Sequence, residues 1–95
     1  MDKITLLSLS MDLKRITQSI QRGSQENAGR FSLEAKKWLN ESKKTKDGYL
    51  RKLLIKIEKT LGRKNDLKKA EDCLMYSVLI QNQAIYTGRN NPQSL

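Results

Sequence analysis

Apolar residues at Leu6, Leu9, Leu13, Ile16 and Ile20 recur at alternating intervals of three and four, which places them on one face of a helix. Most intervening positions are polar or charged, and Asp2 stands where an N-cap belongs. The pattern thins between Gln21 and Arg30, where Gly23, Ser24 and Gly29 leave Ala28 as the one apolar residue. Two continuations fit. In one, Gly23 ends the helix and Ser24 caps a second helix that folds back. In the other the helix runs through, because Phe31, Ala35 and Trp38 fall in phase with the stripe that began at Leu6. A turn would reset that phase at random, whereas interior glycines cost only about 1 kcal/mol each relative to alanine. The phase therefore predicts a long first helix over about residues 3–43, free to bend, with a break at 23–29 as the alternative.

The stretch 43–48 reads as a connection, with Asp47 as the N-cap of a helix over about 48–61 whose apolar face is Leu50, Leu54, Ile57 and Leu61. Gly62 follows where a left-handed residue commonly ends a helix. Asn65 or Asp66 then caps a helix over about 67–87, closed by Gly88. The single proline, Pro92, lies beyond it with Asn90 and Asn91. The expected fold is all-α: an antiparallel helical bundle of three helices, or of four helices if the first breaks at 23–29. One helical domain is expected over residues 1–88, with a flexible C-terminal tail at 89–95. A chain of 95 residues builds a thin core, burying only about 60 to 65 percent of its unfolded surface.

The last helix departs from simple amphipathicity. From Cys73 to Gly88 there is no charged residue in sixteen positions, and apolar side chains spread around most of the circumference. Such a helix is generally buried on more than one side. It predicts either a central place in the bundle or a subunit interface, with Leu74, Met75, Val78, Leu79 and Ile85 as the candidate self-association residues and a homodimer as the expected assembly.

Positive charge is concentrated in the middle of the chain. Of nineteen Lys and Arg residues, thirteen lie between Glu34 and Lys69, and with five acids they give that stretch +8 of the total +9. Concentrated positive charge gathers anionic partners. On the helix over 48–61, Lys52, Lys56 and Lys59 share a face opposite the apolar one, with Arg63 next in register. Lys43, Lys44 and Lys46 precede this ridge, and Lys64, Lys68 and Lys69 follow it. These ten residues are the candidate polyanion-binding set, suited to the phosphates of a nucleic acid read without regard to sequence, to an acidic protein, or to an anionic lipid surface. Lysine outnumbers arginine thirteen to six, and Tyr49 is the one aromatic on that helix, so neither base-specific readout nor a stacking platform is expected. A solvated lysine face is the bland reading of the same pattern.

Chemistry narrows the function further. Histidine is absent, which removes the commonest general base and metal ligand. Cys73, the only cysteine, sits beside Leu74 and Met75 and reads as a small buried hydrophobe. No disulfide is possible within the chain, so a reducing cytoplasmic setting is the expectation. The acids fall into local pairs with bases, such as Asp12 with Arg15 and Lys68 with Asp72, which stabilise helices without further purpose. The glycines form no phosphate-binding pattern. The apolar run Ile4 to Met11 is too short to span a bilayer and lacks the flanks of a signal peptide. The sequence thus predicts no enzyme activity, no cofactor and no metal, in a self-associating interaction or adaptor module. The alternative is sequence-independent nucleic-acid binding through the ridge at 43–69.

Overall fold

The computed structural model describes residues 3–42 and 44–89, which form four helices: α1 (Lys3–Gln21), α2 (Gln25–Ser42), α3 (Gly48–Leu61) and α4 (Leu67–Arg89). No strand occurs among the described residues, and the bundle is all-α. The expected cap at Asp2 lies outside the described residues, as do residues 90–95 of the tail expected at 89–95, whose first residue, Arg89, belongs to α4. α4 runs past its predicted end at Thr87 and takes in Gly88 and Arg89.

The chain breaks at Gly23, against the prediction of one long helix. Gly23 has φ +79°, the Ser24 N–H donates to the Ser19 carbonyl at 2.8 Å, and the Gly23 N–H donates to the Ile20 carbonyl at 3.0 Å. This is the paired capping pattern that a left-handed glycine permits at a helix C-terminus. The Ser24 carbonyl then accepts from the Ala28 N–H, opening α2. Helical phase misled because the buried stripe of α2 is Ala28, Ser32, Ala35, Leu39 and Ser42. That stripe is rotated by roughly 80° from the α1 stripe when both are stepped at 100° per residue. Phe31 and Trp38, which carried the phase, are half-buried at its flank.

Gly62 does not take the left-handed conformation expected of it. It has φ −81° and ψ −5°, so α3 ends without a left-handed residue, through bonds from the Gly62 and Arg63 N–H groups to the Lys59 and Thr60 carbonyls. The other caps are as read: Asp47 accepts from the Leu50 N–H at 3.1 Å, and Asp66 accepts from the Lys69 N–H at 2.9 Å.

Each helix packs against two others, and α1 is the most extensively covered. Its longest interfaces are with α4 and α2, and α3 closes the ring through smaller contacts with both. Thr17 Oγ1 donates to the Ala70 carbonyl and Ser10 Oγ to the Ser77 carbonyl. Moving back along α1 therefore means moving forward along α4, so the two are antiparallel. The bulky residues of α1 meet stripes of small ones: Ala28, Ser32 and Ala35 on α2, and Ala70, Cys73, Ser77 and Ala84 on α4, all buried. The serines of these stripes return their hydroxyls to their own helices, Ser32 to the Ala28 carbonyl and Ser77 to the Leu74 carbonyl. Large against small lets the helices approach closely and fill the core at native density.

Candidate functional site

Two surfaces of opposite character result. On α3, Leu50, Leu53, Leu54, Ile57 and Leu61 are buried, which turns Lys52, Lys56 and Lys59 outward on the far side of the helix. None of these three lysines has an acidic partner within 4 Å among the described residues. Thirteen steps at 1.5 Å make α3 about 20 Å long, the span of about six base pairs, and the three lysines occupy about 10 Å of it. Lys44 and Lys46 are exposed ahead of it and Lys64 after it. Lys43 lies outside the described residues.

The remaining three candidates are engaged elsewhere. Arg63 donates to Asp72 at 2.7 Å, and Lys68 approaches the other Asp72 oxygen at 3.5 Å. The Arg63 hydrogen bond is the main reason the Asp72 carboxyl titrates below its ordinary value. Lys69 is not on the surface at all. It is 2 % exposed, and the three N–H groups of its ammonium are shared among four acceptors at 2.8 to 3.2 Å, Ser32 Oγ, the Leu61 and Arg63 carbonyls and Asn65 Oδ1. It ties α2 to the end of α3 and to the α3–α4 turn, and burial pushes its pKa below the usual lysine value. Lys69 therefore belongs to the interior and leaves the candidate polyanion set.

The second surface is apolar and lies where α1 and α4 meet. α4 buries Lys69, Ala70, Cys73, Ser77, Ile80 and Ala84 and packs on α1 and, more lightly, on α3, so it is not central in the bundle and its outer side is open. Leu74, Met75, Val78 and Ile85 remain 42 to 48 % exposed. Leu79, the fifth candidate, is half-buried against the core edge. Leu67, Leu74, Val78 and Ile85 follow at intervals of seven, four and seven, within a strip of about 40° on the helix. The strip flanks the α1 side of α4, where Lys14 Nζ meets Gln81 Oε1 at 3.3 Å. On α1, half-buried Leu7 and exposed Met11 and Ile4 continue the apolar surface.

The interior holds one titratable group that the sequence presented as an ordinary helix pair. Asp12 bonds Arg15 at 3.2 Å, as its spacing suggests, yet it is 1 % exposed. Its position three after Leu9 and four before Ile16 was the available signal, since that spacing sets it at the edge of the buried stripe. Lys69, four before buried Cys73, was legible in the same way. Burial pushes the Cys73 thiol up to about 11, which holds it in the unreactive protonated form. A depression of about 280 Å³ beside α3 is lined by Arg51, Leu54, Ile55 and Glu58. Among the described residues no cluster of acids or cysteine could hold a metal ion, and no helix is long and apolar enough to cross a membrane. No protein-family model, curated protein or solved structure matches this chain.

Proposed function

We propose that this chain is a small noncatalytic helical interaction module that pairs with a second copy of itself through the outer face of α1 and α4. The observation that carries this reading is the exposure of Leu74, Met75, Val78 and Ile85 on a helix with no charge from Cys73 to Gly88. A patch of this kind is what protein–protein contacts cover. A two-fold pairing matches one copy of the patch with another and keeps the basic outer faces of the two α3 helices away from the contact. Completing the burial of four half-exposed side chains on each copy contributes about 1 kcal/mol apiece. Association costs about 4 to 15 kcal/mol, so the dimer is weak and concentration-dependent. Light scattering from about 5 µM to 1 mM is expected to show the mass rising from one chain toward two. Val78→Glu, at an exposed position, is expected to hold the chain monomeric with its helix content intact. A single-chain mass at every concentration would overturn the reading.

A second reading rests on a separate observation, the outward lysines of α3. It is sequence-independent binding of nucleic acid or another polyanion along Lys52, Lys56 and Lys59, with Lys44, Lys46 and Lys64 at its ends. Its signature is affinity for duplexes of any sequence that disappears when Lys52, Lys56 and Lys59 are together replaced by Glu.

A further inference from the structure

α1 carries one acid into the α1–α2 interface. Asp12 is 1 % exposed; its Oδ1 accepts from Arg15 Nη1 at 3.2 Å, and its Oδ2 has no hydrogen-bond donor. A second acid, Glu34 of α2, is near enough to act on the Asp12 carboxyl through both a side-chain hydrogen bond and its charge. Two ionised carboxylates in this position repel, and neither can donate to the other. A single proton between them removes both defects.

We propose that Asp12 holds a proton and donates it to Glu34 across the α1–α2 interface, and that losing this proton loosens the two helices, so that the bundle responds to acidity. The principal charged groups acting on Asp12 are Glu34 on α2 and Arg15 on α1; α3 and α4 supply none of them. Arg15 favours the anion, but its side chain is 44 % exposed and its guanidinium lies 5.6 Å from the centre of the Phe31 ring, so much of its charge is spent in water and over the ring. Burial of Asp12 and the neighbouring Glu34 outweigh it, and the Asp12 carboxyl is raised from 3.8 to about 6, with desolvation the largest cause.

The direction of the response follows. A carboxyl raised in the folded state binds more protons there than in the unfolded chain over the interval between the two values. The stabilisation is complete below about 4 and is lost as pH rises through about 6, the range over which Asp12 ionises. Asp66 and Asp72, whose carboxyls are lowered, act with the opposite sign and at more acidic pH, so the two effects separate.

Two measurements on the full chain test this. In a carbon-13 NMR titration, the Asp12 carboxyl resonance is expected to inflect near pH 6, and in Glu34→Gln the inflection is expected to move toward the ordinary carboxyl range, because the Gln amide can donate to the Asp12 anion. Glu34 is exposed, so that variant retains the fold. An inflection near 4 in the unaltered chain overturns the proposal. In urea denaturation, the midpoint is expected to fall between about pH 5 and pH 7.5. Asp12→Asn, whose amide mimics the protonated donor, is expected to lose that fall. The same pH response in Asp12→Asn as in the unaltered chain overturns the proposal as well.

Discussion

Lys69 is a charged side chain held in the interior, where α2, the end of α3 and the α3–α4 turn meet. In the sequence it closes a basic run with Lys64 and Lys68, and only its spacing of four from Cys73 sets it apart. In the fold that spacing carries it inward, where Leu61 offers a carbonyl left over at the end of α3 and Arg63 offers one from the turn that follows. An ammonium satisfies such carbonyls well because it brings three donors and because the C-terminus of a helix favours positive charge. Replacing it with Met keeps much of the volume and removes every donor, leaving the carbonyls unmatched. Lys69→Met is therefore expected to cost about 2 to 4 kcal/mol in urea denaturation. Lys52→Met, on the outer face of α3, is expected to stay within about 0.5 kcal/mol. Equal small effects for the two would mean that the Lys69 network contributes nothing. Asp12 carries the same lesson with opposite charge: identity and local pairing were legible, while burial depended on which side of α1 a second helix would lie.

At the scale of elements, α3 and α4 were legible because their caps and apolar periods agree. Asp47 and Asp66 start them, and a full turn of mixed polar residues separates them. The α1–α2 junction was not legible in this way, since the buried stripe of α2 is made of alanine and serine, which hydropathy scarcely distinguishes from an exposed face. The conformational demand falls on one glycine there. Gly23 has φ +79°, so Gly23→Ala places a side chain in the left-handed region and is expected to destabilise by about 1 to 2 kcal/mol. Gly29 lies inside α2, and a Cβ there meets nothing within 4 Å. Gly29→Ala is expected to stabilise by about 0.4 to 1 kcal/mol, since it restricts the unfolded chain without strain in the folded one. Denaturation midpoints that shift in opposite directions check both; a stabilising Gly23→Ala would contradict the capping geometry.

At the scale of the whole molecule, the basic and apolar regions that composition displayed sit on different sides of the bundle, the ridge on the outside of α3 and the apolar strip beside the α1–α4 seam. α1 holds the two largest interfaces of the bundle, whereas α4 packs extensively on α1 and only lightly on α3, and its outer side is left uncovered. The separation gives the two functional readings salt dependences of opposite sign. Each chain carries +9, so two copies repel at long range, and added salt screens that repulsion while leaving apolar contact intact. Self-association is expected to hold or strengthen as salt rises. Binding to duplex DNA works the other way, because neutralising phosphates releases counterions and the affinity falls with a log-log slope of about −0.9 per phosphate. Three phosphates, one for each of Lys52, Lys56 and Lys59, imply roughly a 40-fold loss between 50 and 200 mM salt. Light scattering and a duplex-binding titration over the same salt series measure the two effects on one preparation. If the mass falls with salt, charge rather than the apolar strip holds the copies together; if duplex binding is absent even at about 50 mM, the ridge is a solvated face and the apolar surface stands alone as the site of interaction.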